Sequence, residues 1–440
     1  MRRVVLLMFL FVFIAEGPMM YAGKWQTPLH FLDLILFQHS ALKMPLFFYL
    51  QIILLIMAGS RPGAKAHRAP PMDKAINFSI ASMLVWTFLG AMRGGQPWQA
   101  GWQLYSFFSA LLFAKLLMAT LQTPKHFEQL GRTFMYAVLW RATMAIVFWF
   151  FFMHNVSYPE NERPPYVTIH DDTVVFVTGL ILAMANHIVL RSRKSLRLLL
   201  ISCALILPAI QFNNRRLAWA SLAFSIVVVY VMMPKGKFKR RINIGLLAAA
   251  PFIGTYVGVG WGHTEGIFKP LASLSSMSSK KDTSTLSRVA ENKGLIVTLM
   301  RSSWISGTGW GHEYIEVDSS FNIDMYFKQW KYVPHNSILG ILAFSGALGF
   351  YSLWLVFPVG VFLNARTWRM AQLPTERIAA LTSLTSVVIT SNQMFGDMGF
   401  QSNATLFVAS AGFAVAGRLS VSSGAWPDKK AARPKAAVTA

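Results

Sequence analysis

Residues 173–190 read TVVFVTGLILAMANHIVL, eighteen positions without one Asp, Glu, Lys or Arg. At 1.5 Å rise per residue a helix of this length covers most of the ~30 Å hydrocarbon core of a bilayer. The run shows none of the polar–apolar alternation of a barrel strand. Comparable runs of about 17–20 residues recur along nearly the whole chain. Only helices and closed barrels satisfy backbone polar groups in lipid, so the expected fold class is an all-α integral membrane protein. About twelve transmembrane helices are predicted. They run over Val4–Met20, Pro45–Gly59, Ala75–Met92, Gly101–Leu121, Thr133–Phe152, Thr173–Leu190, Leu198–Phe212, Leu217–Met233, Ile242–Gly260, Asn336–Phe362, Ile378–Met394 and Ala404–Leu419.

The net charge of +23 invites a nucleic-acid reading, but the position of the charges argues against one. Lys and Arg cluster in short segments between apolar runs: Arg2-Arg3, Arg61–Lys74, Lys125–Arg132, Arg191–Arg197, Lys235–Arg241, Arg366–Arg377 and the tail from Arg418. These hold 25 of the 41 basic residues and 4 of the 18 acidic ones. They also fall on alternate sides of the spans, so one topology puts all of them in the cytoplasm, with both termini inside. The apolar run after Met1-Arg2-Arg3 has no clean small-x-small cleavage site and is expected to be a retained helix rather than a signal peptide. Leu29–Phe37, apolar but interrupted by Asp33, is expected to be interfacial. The single cysteine, Cys203, excludes an intramolecular disulfide and a cysteine-based zinc site.

The chain therefore divides into nine expected helices over 1–260, a large outer loop or lid over 261–334, three more helices over 335–420 and a basic cytoplasmic tail over 421–440. Loops as long as 261–334 are usually functional or disordered. Leu271–Thr285 is Ser/Lys-rich and reads as flexible, whereas Leu286, Val289, Ile296, Met300 and Trp304 form a helical stripe. Gly307, Gly309 and Gly311 then break regular structure. Other outer segments are His154–Asp172, with several prolines and acids, and the very short turn Asn213–Arg216. No internal repeat is evident, which weakens a transporter reading.

Arg215 and Arg216 lie in that short turn, close to the hydrocarbon edge, where arginine is costly unless it snorkels or meets an anion. Snorkelling to lipid phosphate is the plain reading; two adjacent arginines on the outer side point to a site. Arg288 alone would be a solvated charge, as would Lys280, Lys281, Lys293 and Arg301. His335 stands in Pro334-His335-Asn336-Ser337, where the outer loop re-enters an apolar helix. Its plain reading is a helix-entry histidine bonded to backbone or lipid. At 100° per residue, however, Gly346 and Gly349 fall near its helical face and leave a groove below it. Such a groove suits either close helix packing or a lipid tail. Asn336 can cap the helix or bind a substrate hydroxyl. Glu313, Glu316, Asp318 and Asp324 form no tight acidic pair and read as an acidic loop surface rather than a metal site. His263 and His312 lack a convincing ligand set.

His335-Asn336, nine residues, Gly346, two residues and Gly349 together resemble the His-[Asn/Ser/Gln]-x9-Gly-x-x-Gly signature of bacterial O-antigen ligases. The order of parts is similar too: an outer arginine after a mid-chain span (Arg215), a large loop with another (Arg288), the turn Gly307-Thr308-Gly309-Trp310-Gly311, then the histidine. The resemblance covers roughly Ile201–Phe350. Where the family usually has a small residue after the first arginine, this chain has Arg216, so the two arginines share that expectation.

The resemblance implies a metal-independent, GT-C-like membrane glycosyltransferase without cofactor, with its large loop and active site periplasmic, in the bacterial inner membrane. It would move a glycan from undecaprenyl diphosphate to a hydroxyl of the lipid A core in lipopolysaccharide biosynthesis. Arg215 and Arg288 are expected on the diphosphate, with His335 as general base or as a second group orienting the diphosphate. Arg216, Asn336, Gly346 and Gly349 are expected to bind substrate. The same superfamily holds O-antigen polymerases and protein O-oligosaccharyltransferases. A flippase of lipid-linked sugars is the alternative of another class. The expected partners are donor, acceptor and membrane lipids, with no nucleic acid.

Overall fold

The computed structural model describes residues 1–15, 29, 35–36, 44–60, 70–151, 167–213, 215–261, 263, 268, 283–318 and 329–427. The expected interfacial segment Leu29–Phe37 falls almost wholly outside them. So do most of His154–Asp172, the stretch Leu271–Thr285 as far as residue 282, with Lys280 and Lys281, Asp324 and the tail beyond 427.

Every long element among the described residues is a helix. They are α1 (Arg2–Ala15), α2 (Leu46–Gly59), α3 (Pro70–Met92), α4 (Pro97–Thr120), α5 (Pro124–Phe151), α6 (Asp172–Leu190) and α7 (Arg193–Asn213). There follow α8 (Arg216–Met232), α9 (Lys237–Gly260), α10 (Thr283–Arg301), α11 (Ser337–Trp354), α12 (Val356–Met370), α13 (Pro374–Gly396) and α14 (Asn403–Ser422). Among the described residues, nine helices are long and apolar enough to span a bilayer, α11 and α12 counting as one 34-residue run. That run continues past its expected end at Phe362 to Met370. The expected spans Pro45–Gly59 and Leu217–Met233 correspond to the shorter apolar helices α2 and α8. Proline starts α4 and α13, where its missing N–H costs nothing.

α13 and α14 lie at the centre, packed against α4, α6 and α12. Phenylalanine rings fill the space around them, with Phe107 and Phe400 4.6 Å apart and Phe113 and Phe407 4.9 Å apart. Because lipid is as apolar as these rings, helix association rests on close packing and interhelical hydrogen bonds. Gly412 lets α14 approach Val387 and Ser386 of α13, and Gly179 lets α6 approach Val138 of α5. The Ser410 hydroxyl donates to the Ala110 carbonyl at 2.7 Å, and Asn364 to that of Gly412 at 3.2 Å. Such bonds are worth roughly 0.6 kcal/mol each.

The basic segments gather at one end of the bundle. Arg2 meets His126, Trp368 donates to the Met232 carbonyl at 2.8 Å, and Ser422 donates to Glu376 at 2.7 Å. His170, Arg215, His335 and Asp397 all lie at the opposite helix ends.

At that opposite end, residues 304–311 thread between the α3–α4 connection and α11. Gly307, Gly309 and Gly311 have φ of 64°, 90° and 94°, as their expected break from regular structure requires. The groove expected below His335 does not form as a continuous face. α11 breaks at Gly346 (φ 61°, ψ −173°), and the loop takes up the freed backbone groups. The Gly309 N–H donates to the Phe344 carbonyl at 2.8 Å, while Ala347 donates to Trp304 at 2.8 Å and Leu348 to Ile305 at 3.1 Å. Irregular backbone at membrane depth is tolerable because protein satisfies it. A Cβ on Gly346 would stand 2.3 Å from the Ile305 carbonyl carbon, and one on Gly349 2.8 Å from Trp86. These glycines thus seat a loop backbone and an indole.

Gly90 on α3 is the tightest contact of this seam: a Cβ there would fall 2.0 Å from the Trp310 carbonyl oxygen. Gly90→Ala should therefore push the loop off α3 and cost about 1–3 kcal/mol. A lowered Tm in detergent, with the helical circular dichroism signal retained, is the expected outcome.

Candidate active site

Asp397 follows the last turn of α13 and is 4% exposed. An acid at this depth needs partners, and three cations or potential cations supply them. His170, just before α6, contacts Oδ2 through Nδ1; Arg215 Nη1 lies 3.1 Å from the same oxygen. Arg288 Nη2, from α10, is 3.6 Å from Oδ1, which accepts no hydrogen bond among the described residues. Arg215 Nη1 also lies 2.5 Å from His170 Nδ1. A single ring nitrogen cannot both donate to Asp397 and accept from Arg215. With the carboxylate as the obligate acceptor, Nδ1–H points to Asp397, and the Arg215 contact reflects two donors crowding one oxygen.

Burial alone would raise the Asp397 carboxyl. The hydrogen bond and charge of His170, then the charges of Arg215 and Arg288, outweigh it and hold the group down at about 2. A folded-state value below the ordinary 3.8 means that deprotonation favours the fold. The stabilisation, about 2 kcal/mol, is complete above about pH 4 and disappears as pH falls through about 2. The Tm advantage of wild type over Asp397→Asn should thus shrink as pH falls from about 4 through about 2, as read by thermal unfolding across pH.

His335 is held by a second carboxylate. Glu291 on α10, 8% exposed, accepts the His335 backbone N–H at 2.7 Å, its ring Nδ1–H at 2.8 Å and the Asn336 N–H at 3.3 Å. Asn336 caps α11 by accepting from the Leu339 N–H at 3.1 Å. Facing a carboxylate, Nδ1 carries a proton, so in the neutral ring the lone pair is on Nε2. The ring is 32% exposed, enough to reach a bound molecule.

Two links join this histidine to the arginine cluster. Glu291 stands one helical turn from Arg288 on α10, and the His335 carbonyl accepts the N–H of Met398, next to Asp397, at 2.7 Å. Met398 has φ 50°, a left-handed conformation uncommon for a side chain of its kind. This turn ties the end of α13 to the start of α11. The fold thus brings Arg215 (10% exposed), Arg288 (42% exposed) and His335 to the same end of the bundle. Arg216 opens α8, half-buried. Gly346 and Gly349 lie in the loop-packing seam. Of the acidic loop residues, Glu316 pairs with Lys331 at 2.8 Å.

Three members of the cluster escaped the sequence reading: His170, Glu291 and Asp397. Asp397 had a signal, since an acid at the edge of an apolar run is costly and marks a site. Glu291 lies three residues after Arg288 on the expected helix. The α10 stripe explains the error: Val289, Ile296 and Met300 are exposed, whereas Glu291, Leu295 and Thr298 face the protein.

An arginine pair around a carboxylate, beside an imidazole with a free lone pair, can hold a polyanion and accept a proton. No curated protein matches the chain. The O-antigen ligase family model matches residues 199–354, from α7 through α11, a stretch that contains Arg215, Arg288, Glu291 and His335 but leaves His170 and Asp397 outside. Over residues 199–354 this membrane chain is similar to the O-antigen ligase family.

Proposed function

We propose that the protein is an O-antigen ligase: a metal-independent inverting transferase that moves a glycan from undecaprenyl diphosphate to a lipid A-core hydroxyl at the periplasmic face of the inner membrane. Its twelve spans, GT-C-like, would place both termini and the basic segments in the cytoplasm. The observation that carries this reading is the convergence of Arg215 and Arg288 on one carboxylate beside the Glu291-bound imidazole of His335.

In the reaction the acceptor oxygen attacks the anomeric carbon, and the bond from that carbon to the diphosphate oxygen breaks. The hydroxyl proton passes to His335 Nε2. The departing diphosphate gathers negative charge, which Arg215 and Arg288 meet with charge-assisted hydrogen bonds. Guanidinium suits this task because it stays charged and binds phosphate oxygens in pairs. Arg288, with its looser hold on Asp397, is the one free to swing onto the substrate. Glu291 is a positioning residue that fixes the tautomer of His335, in the manner of the acid in a triad. Glu291→Gln should therefore lower kcat by about tenfold or more while leaving KM nearly unchanged; a purely structural role would change Tm instead.

The decisive assay combines purified protein, lipid-diphosphate-linked glycan and lipid A-core, with and without chelator. A new conjugate in both conditions is expected. Chain growth from the donor alone would identify a polymerase, and intact donor in every condition, with movement across vesicles, a flippase.

A further inference from the structure

A cavity of about 490 Å³ lies at the other end of the bundle, among α1, α5, α6, α13 and α14. From Leu190 at its mouth to Thr178 on α6 is twelve residues, a depth of about 18 Å. Phe9, Phe134, Leu182 and Val408 make its walls largely apolar. Two features distinguish it from a packing defect. Thr178 and Thr382 line it at 3% and 8% exposure, and neither hydroxyl has a hydrogen-bond partner among the described residues. Thr382 lies about 12 Å in from the start of α13, within reach of a drawn-in glycerol ester. The mouth also lies beside basic sequence. Arg132, exposed and paired with Glu128, lines it, Leu190 and Leu198 flank the segment Arg191–Arg197, and Thr375 lies within Arg366–Arg377. With Lys125–Arg132, these segments hold nine basic residues and two acidic ones.

We propose that this cavity binds one anionic phospholipid of the surrounding bilayer, its acyl chain between α5, α6, α13 and α14 and its phosphate at the Arg132 rim. The site is separate from the Arg215–Arg288 cluster and does not depend on the reaction assigned there. An apolar shaft that opens beside segments rich in Lys and Arg matches a tail with a negative head, and basic segments at a membrane surface favour anionic over zwitterionic lipid.

The test is native mass spectrometry of the full chain in detergent with added phosphatidylglycerol or phosphatidylcholine. Wild type should retain one phosphatidylglycerol, preferred over phosphatidylcholine by about tenfold. Ala411→Trp, which fills the cavity, should lose it. Arg132→Glu, an exposed change that leaves the core intact, should keep a bound lipid but lose the preference. Equal retention of both lipids by wild type, or a preference unchanged in Arg132→Glu, overturns the proposal, as does phosphatidylglycerol held as tightly by a folded Ala411→Trp as by wild type.

Discussion

His335→Ala should abolish most glycan transfer, lowering kcat by about 10²–10⁴-fold, the usual contribution of a positioned general base. The fold should survive the change. The backbone N–H of residue 335 still donates to Glu291, Asn336 still caps α11, and the carbonyl still receives the Met398 N–H. Expression and Tm close to wild type, with donor binding retained, would tie the loss to the imidazole. His335→Gln should be almost as inactive, since an amide accepts hydrogen bonds but does not take a proton at neutral pH. If His335 only oriented the diphosphate, Gln would restore much of the rate and the deficit would sit in KM.

Arg288→Lys is the second large effect. The charge remains, but the planar fork does not. Loss of a preorganised donor to developing charge costs about 10²–10³-fold in kcat, and the fall should appear there more than in KM. Arg215→Lys should be comparably inactive and also less stable. Arg215 is 10% exposed at the N-cap of α8 and shares Asp397 with His170. A shorter contact geometry there leaves a buried carboxylate poorly paired, whereas Arg288, at 42% exposed and 3.6 Å from the acid, carries little of the fold. Full activity in either lysine variant would remove that arginine from the site.

Much of this molecule is legible from patterns local in sequence. Apolar run length marks the helices, and charge alternation separates the basic end from the end that carries His335. The glycines at 307, 309 and 311 announce a loop that leaves regular structure. What local patterns miss are decisions taken by tertiary contacts. Periodicity carries α11 straight through Gly346, but the chain breaks there because residues 304–309 compete for its backbone groups. The α10 stripe points its apolar side outward, because the face toward the protein is claimed by Glu291 and its three N–H donors. His170 and Asp397 come from segments 227 positions apart and become a pair only when α6 and α13 pack side by side. Intramembrane-edge acids should therefore be weighed alongside arginines when a site is sought in such a sequence.

The most direct measurement is a structure of the full chain with a polyprenyl diphosphate bound. The diphosphate oxygens should lie within about 3 Å of the guanidinium groups of both Arg215 and Arg288, with Nε2 of His335 facing the position of the sugar. A diphosphate held elsewhere, or one whose nearest cations are residues of the basic end, would contradict this assignment.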